Sequence, residues 1–159
     1  MHIQENIFAP KRYLIIRKTI PMSEVANKDM YDEAGKKLGA YIQEHEVEVI
    51  GPWSVLYFTW DMEHQTTDMG IAFPVAGVEA VQGSELTLVD VPESPIATAL
   101  YEGSYEHMKE PHRALMAYMR EKGYTKGKGP VMAMEEYVVG PMDDLNTAHW
   151  KTQISYFHA

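Results

Sequence analysis

Two adjacent glutamates stand inside an apolar run in the last third of the chain. The run extends from Val131 to Val139, and Glu135 and Glu136 are its only charged residues. Strand alternation places Glu135 on one face with Tyr137 and places Glu136 on the other. A buried carboxylate is costly unless it is hydrogen-bonded, protonated or paired with a cation. One of the two glutamates therefore reaches water at a sheet edge or is held in a polar site, and the sequence leaves both readings open.

A buried carboxylate among aromatic rings suits two kinds of chemistry. It can bind a cationic aromatic ligand through charge pairing and cation–π contact, or it can serve as a general acid–base. The 3 Trp, 10 Tyr, 4 Phe and 11 Met supply side chains that line adaptable pockets as well as cores. Cysteine is absent, and the histidines, glycines and serines lack metal-site, phosphate-loop and nucleophile-elbow spacings. We therefore expect no metal and no cofactor.

Charge and hydropathy restrict the partners. The chain of 159 residues carries 14 Lys and Arg against 23 Asp and Glu, a net charge of −9. Such a surface repels phosphate backbones and anionic lipid, so we expect no direct nucleic-acid binding. No long apolar segment or secretion signal is visible, which predicts no membrane association and a cytoplasmic location. A small molecule is the expected partner, and a protein partner is not identified.

An internal echo suggests how these side chains are positioned. Gly51-Pro52 and Gly129-Pro130 each precede an apolar run, and the two pairs are 78 residues apart (129 − 51). We interpret residues 1–159 as one domain made of two pseudo-repeats, about 1–79 and 80–159. Each repeat would provide half of a shared core.

Periodicity predicts the elements of each repeat. In the first, the strands Ile3 to Phe8 and Arg12 to Ile20 precede a helix with an apolar stripe from Met30 to Ile42. The short link Ala9-Pro10-Lys11 suggests that these two strands pair with each other. Two further strands follow. The same order recurs in the second repeat, where Glu85 to Val91 and Ile96 to Glu102 form the matching paired strands and the helix begins at Pro111. The fold class is therefore α+β, a duplicated β-β-α-β-β unit with an eight-stranded antiparallel sheet, two main helices and a central pocket where the halves meet.

Several stretches carry a resemblance to a known family. Tyr101-Glu102-Gly103-Ser104-Tyr105 leads into the second predicted helix, and Lys122-Gly123-Tyr124 ends it. Gly129-Pro130 precedes Glu135-Glu136-Tyr137-Val138, and Trp150-Lys151-Thr152-Gln153-Ile154 forms the closing strand. In order and spacing these stretches resemble the GyrI-like family, also described as the AraC-type effector-binding domain, over nearly the full length.

The resemblance implies a pocket lined by aromatic side chains around one acidic residue. Carried over by position, the acid is Glu135, and Tyr137 stands beside it. Tyr105 and Trp150 are further candidates for the pocket lining. The offset of 78 residues places Tyr57 at the position equivalent to Glu135 in the first repeat, so Tyr57 is expected to face the same pocket.

The family also implies a range of functions. Its members include the sensor parts of multidrug-responsive transcription regulators, inhibitors of DNA gyrase, and proteins that bind or hydrolyse reactive cyclopropane compounds. Because the repeats occupy almost the whole chain, we expect a stand-alone form that binds aromatic or amphipathic molecules, cations among them. The alternatives are a cyclopropane hydrolase with Glu135 as its catalytic residue, and a gyrase-inhibitor-like interaction protein. Many relatives carry Glu in the closing strand where this chain has Gln153, which weighs against a preference for cations.

Overall fold

The computed structural model describes residues 1–83 and 85–159. Within them the chain forms nine antiparallel strands and two main helices, which confirms the α+β class. The strands are β1 (Gln4–Phe8), β2 (Lys11–Pro21), β3 (Glu48–Val49), β4 (Ser54–Asp61), β5 (Thr66–Ala76), β6 (Leu86–Val91), β7 (Ser94–Glu102), β8 (Ala133–Val139) and β9 (Lys151–Phe157). The helices are α1 (Lys28–Glu44) and α2 (Lys109–Lys122). The two-residue strand β3 is the one that the sequence analysis did not predict.

The chain divides into two compact units. One consists of Pro10–Val91, and the other combines Met1–Ala9 with Pro92–Ala159. We call them the central unit and the terminal unit. The domain boundaries predicted from the repeat, near residue 79, stay a prediction.

In the central unit the strand order is β4-β5-β2-β6, with β3 beside β5. Helix α1 begins after Asn27, whose side chain accepts a hydrogen bond from the Asp29 amide at 3.0 Å, as an N-cap residue does. Ala34 and Leu38 of α1 are buried. A Cβ atom at Gly70 in β5 would lie 2.4 Å from the Ile15 side chain and 2.9 Å from the Ile16 carbonyl, so the close packing of β5 on β2 requires glycine there.

In the terminal unit the strand order is β1-β7-β9-β8. Helix α2 follows a single 3-10 turn at Tyr105–His107 and ends at Gly123, which adopts φ 69° in the left-handed region. Pro111 lies in its first turn, where a missing backbone donor breaks no helical hydrogen bond. His112 and Leu115 are the next buried residues of the helix.

The hairpins predicted at the start of each repeat are wrong. Strand β1 pairs with β7 rather than with β2, and β6 pairs with β2 rather than with β7. Two-residue hairpin turns need residues with positive φ, and within the described residues none occurs at Ala9-Pro10 or at Pro92-Glu93. Strand β1 opens the first predicted repeat but belongs to the terminal unit. Strand β6 opens the second predicted repeat but belongs to the central unit.

No helix within residues 1–83 and 85–159 combines the length and the apolar character needed to span a membrane.

Candidate functional site

The site is built on the face of the terminal-unit sheet that helix α2 contacts. Strands β8 and β9 pair Glu135 with Ile154 and Tyr137 with Thr152, so these four side chains share one face. Glu135 is 4% exposed, whereas Glu136 is only half-buried on the opposite face. Glu135 is therefore the glutamate that lies inside the protein, and the edge-strand reading does not apply to it.

Glu135 is held in a chain of hydrogen bonds. Its Oε2 lies 2.5 Å from Nε2 of His112, and its Oε1 accepts a hydrogen bond from the Tyr137 hydroxyl. Nδ1 of His112 lies 2.7 Å from the Tyr156 hydroxyl. The order Tyr156, His112, Glu135, Tyr137 spans helix α2 and strands β8 and β9, and all four residues are buried. Hydrogen bonding to both oxygens is what allows a carboxylate to remain inside a sheet face.

Tyr156, at one end of this series of hydrogen bonds, keeps its proton. Burial raises the pKa of the Tyr156 hydroxyl well above its usual value, and the nearby charge of Glu135 adds to the rise. A protonated Tyr156 is able to donate to Nδ1 of His112, and in that tautomer Nε2–H donates to Glu135. The arrangement therefore orients the imidazole toward the carboxylate.

Two further aromatic rings adjoin this series of hydrogen-bonded residues. The Tyr105 ring meets the Tyr137 ring edge-on, with centroids 5.5 Å apart, and lies against the Trp150 ring at 4.7 Å. The Trp150 indole N–H donates to the carbonyl of Asp144 at 2.8 Å, which fixes the indole to the loop between β8 and β9. The rings of Tyr105, Tyr137 and Trp150 form what we call the ring group.

Two buried hydroxyls beside the chain have no hydrogen-bond partner among the described residues. They belong to Tyr105 and to Thr152, the residue that pairs with Tyr137. Burial and the charges of Glu135 and Asp143 raise the pKa of Tyr105 to about 12, so its hydroxyl remains a donor at physiological pH. A buried unpaired polar group costs about 1–3 kcal/mol, so such groups are uncommon away from functional sites.

The structure brings together four of the five side chains predicted for the site. Glu135, Tyr137, Tyr105 and Trp150 lie in the terminal unit and contact one another as described above. Tyr57 lies in β4 of the central unit, where its ring is 5.4 Å from that of Trp60. Its role in the pocket stays a prediction, as does the location of the pocket where the two halves meet.

Two of the hydrogen-bonded residues, His112 and Tyr156, were not predicted from the sequence. His112 stands in the apolar stripe of the second helix, and an ionisable residue at a core position of a helix normally needs a buried partner. Tyr156 alternates with Thr152 and Ile154 along β9, which places it on the inner face. The sequence shows the inward position of each of these two residues within its own element. It does not show that helix α2 packs on the sheet face that carries Glu135.

Gln153, the departure from the family pattern, lies away from Glu135. It pairs with Glu136 in the register of β8 and β9, so its side chain is on the opposite face of the sheet. The amide at this position therefore does not alter the immediate surroundings of the buried carboxylate. Within the described residues, no group of three or more His, Cys, Asp or Glu side chains is arranged to hold a metal ion.

The fold is that of an α+β domain with two main helices. The profile of the GyrI-like small molecule binding domain matches residues 1–156, and the chain belongs to this family. No curated protein matches the chain by sequence.

Solved structures share the fold at low sequence identity. The EcmrR C-terminal domain has a TM-score of 0.80 and 14% identity, with 99% of this chain and 97% of that one covered. In the EcmrR–DNA complex the TM-score is 0.81 at 15% identity, and this chain, 99% covered, spans 57% of the EcmrR chain. SAV2435 bound to tetraphenylphosphonium has a TM-score of 0.68 and 12% identity, covering 100% and 94%. A hydrolase from Listeria innocua has a TM-score of 0.65 and 12% identity, covering 99% and 91%.

Proposed function

We propose that this protein binds aromatic or amphipathic organic cations, with Glu135 as the counter-charge. The observation that carries the proposal is a carboxylate only 4% exposed beside the rings of Tyr137 and Tyr105. A binding protein for cations needs a negative charge that water does not screen, and burial supplies it.

The magnitudes identify which interaction dominates. Two opposite charges 4 Å apart attract by about 4 kcal/mol at the effective dielectric constant of about 20 found near protein surfaces. Contact between a cation and an aromatic face adds about 0.5–2 kcal/mol. The carboxylate therefore decides whether a cation is preferred, and the ring group decides how well its apolar part fits.

Helix α2 and strand β8 prepare the carboxylate for this role. His112 and Tyr137 each hold one oxygen, so Glu135 has a fixed orientation before any ligand arrives. A group fixed in advance does not lose side-chain entropy on binding, which favours affinity. SAV2435, which shares the fold, is bound to tetraphenylphosphonium, and this supports the choice of a bulky aromatic cation as the test ligand.

The test compares two ligands of the same size and opposite charge. We expect the protein to bind tetraphenylphosphonium at least about tenfold more tightly than tetraphenylborate, because the buried carboxylate attracts the cation and repels the anion. Glu135→Gln keeps the shape of the side chain and should remove this preference. Isothermal titration calorimetry measures both affinities.

The neighbouring glutamate provides a matched control. Glu136→Gln removes the same charge from the same strand, but on the opposite face, and should keep the preference for the cation. The proposal is wrong if Glu135→Gln retains the preference, or if Glu136→Gln loses as much of it.

A second candidate function is hydrolysis of strained cyclopropane compounds, favoured by the 2.5 Å contact between His112 and Glu135. In this reaction Glu135 takes a proton from water, the water oxygen bonds to a ring carbon, a ring C–C bond breaks, and the other carbon receives a proton. Mass spectrometry of a cyclopropane-containing compound after incubation should then show the gain of one water. Conversion by the parent protein but not by Glu135→Gln supports hydrolysis, and an unchanged mass with the parent contradicts it.

A further inference from the structure

We propose that the ligand of this site carries a hydrogen-bond acceptor oxygen in addition to its positive charge, and that the Tyr105 hydroxyl donates to that oxygen. This inference rests on the proposed function, since it concerns the same site, and it specifies the class of ligand more narrowly. A purely hydrocarbon cation would satisfy Glu135 and the rings but would leave the Tyr105 hydroxyl unpaired.

The Tyr105 hydroxyl is a buried hydrogen-bond donor. Its oxygen is buried and has no hydrogen-bond partner among the described residues. A protein of this size normally pairs such groups, because each unpaired one lowers the stability of the fold. An unpaired donor is, however, what a recognition site needs before its ligand arrives, since a partner within the protein would compete with the ligand.

Tyr105 lies among the aromatic rings of the site. Its ring touches both Tyr137, which donates to Glu135, and Trp150. Burial and the charges of Glu135 and Asp143 keep its proton in place up to about pH 12. The hydroxyl therefore presents a donor close to a carboxylate, and the pair complements a ligand that has an acceptor near a cationic group.

Access of a ligand to the Tyr105 hydroxyl depends on the loop between β8 and β9. The hydroxyl faces Gly140, where an added Cβ atom would lie 3.2 Å from it. Gly140 begins the loop that continues through Met142 and Leu145, whose side chains are 96% and 91% exposed. These side chains bury almost nothing, and the hydrogen bonds of the Gly140 backbone to Asp143 and Asp144 lie within the loop, so a shift of residues 140–145 as one segment breaks few packing contacts.

The experiment uses two aromatic cations that differ in one group. (3-Acetylphenyl)trimethylammonium carries a carbonyl oxygen, and (3-isopropylphenyl)trimethylammonium has a similar shape without an acceptor. We expect the parent protein to bind the acetyl compound about 3–10 times more tightly, which is the usual gain from one net hydrogen bond. Tyr105→Phe should bind the two compounds equally, because the ring remains and the donor is removed.

A melting curve separates this role from a structural one. Tyr105→Phe removes a buried hydroxyl that has no hydrogen-bond partner in residues 1–83 and 85–159, so its melting temperature should equal or exceed that of the parent. Tyr101→Phe is the matched control, because the Tyr101 hydroxyl donates to the Ser104 carbonyl at 2.8 Å. That variant should have a lower melting temperature and an unchanged preference for the acetyl compound.

The outcomes distinguish this inference from the proposed function. If the parent protein separates tetraphenylphosphonium from tetraphenylborate but binds the acetyl and isopropyl compounds equally, only the acceptor inference is overturned. A preference for the acetyl compound that persists in Tyr105→Phe also overturns it. Failure to separate the phosphonium from the borate overturns the proposed function itself.

Discussion

At the scale of single residues, the terminal unit combines one satisfied charge with two unsatisfied hydroxyls. Glu135 has a donor for each oxygen, whereas the hydroxyls of Tyr105 and Thr152 have none among the described residues. Thus the Glu135 carboxylate, whose burial costs most free energy, is hydrogen-bonded at both oxygens. The two hydroxyls, whose burial costs less, have no partner among the described residues. Such local costs concentrate where ligands bind, because a stability optimum and a binding optimum need different side chains.

Thr152→Val should stabilise the protein. Valine has nearly the shape of threonine without its hydroxyl, and the buried Thr152 hydroxyl has no hydrogen-bond partner in the described part of the chain. Removing it should raise the free energy of unfolding by about 1 kcal/mol, at the low end of the cost of an unpaired buried group. Urea denaturation followed by circular dichroism measures the change.

Thr98 in β7 is the control for this substitution. It is also buried, but its hydroxyl donates to the Ile154 carbonyl at 2.9 Å and lies 3.1 Å from the Ser155 hydroxyl. Thr98→Val should therefore destabilise the protein by about 1 kcal/mol or more. Equal effects of the two substitutions would show that hydrogen bonding does not set the difference between these threonines.

Residue patterns predicted the acid but not its partners. Glu135 was identifiable because a charge inside an apolar run is conspicuous, and alternation placed Tyr137 beside it. His112 and Tyr156 come from other elements, and only the packing of α2 on the sheet brings them to Glu135. A one-dimensional pattern contains the side-chain period of each element, but it does not contain which elements face each other.

At the scale of elements, strand β1 is secured to the terminal unit by its one acidic residue. Glu5 Oε2 accepts hydrogen bonds from the hydroxyls of Tyr118 at 2.7 Å and Tyr124 at 2.5 Å. Its Oε1 lies 3.2 Å from Nε2 of His158, whose ring stacks on Tyr124. One carboxylate thus joins the first strand, the last two turns of α2 with the segment after it, and the C-terminal end.

This arrangement predicts a pH dependence of stability. The hydrogen bonds from Tyr124 and Tyr118 lower the pKa of Glu5 below its ordinary value. A carboxyl whose pKa is lower in the folded state stabilises the protein above its unfolded pKa, near 4.3, and loses this contribution as the pH falls through the folded pKa. Glu5→Gln should therefore reduce the loss of stability between pH 7 and pH 3.5, measured by urea denaturation. The effect should be modest because the Glu5 side chain is 42% exposed.

Removing the donors instead of the acid checks the cause. The double variant Tyr118→Phe/Tyr124→Phe keeps the carboxylate and should show a similarly reduced pH dependence. If the double variant retains the full pH dependence of the parent, the hydroxyls are not responsible for it.

Helices and strands were predicted well because their periodicity is local. The apolar stripe predicted α1, which extends two residues further at each end, and the left-handed Gly123 ended α2 as expected. Strand β3 was missed because its two residues, Glu48 and Val49, are both exposed and too few to show alternation. Elements that owe their form to neighbours rather than to their own sequence lie beyond such analysis.

At the scale of the whole molecule, the order of elements was predictable and the pairing of strands was not. The predicted order β-β-α-β-β matches β6, β7, α2, β8 and β9, and it matches β1 to β5 with α1 except for the additional strand β3. Adjacent strands with a short link usually form a hairpin, and that expectation failed at Pro10 and again at Pro92. Each proline follows the end of a strand, and the chain passes there from one compact unit to the other.

Strand β1 pairs with β7, a strand that is translated much later. Gln4 pairs with Thr98, so β1 has its native neighbour only after more than ninety further residues have been translated. Pro10–Val91 contains its own strands and helix and emerges earlier than that neighbour. Strand β1 therefore stays unpaired until β7 has been made, and the long loop that must then close makes this pairing a slow step in folding.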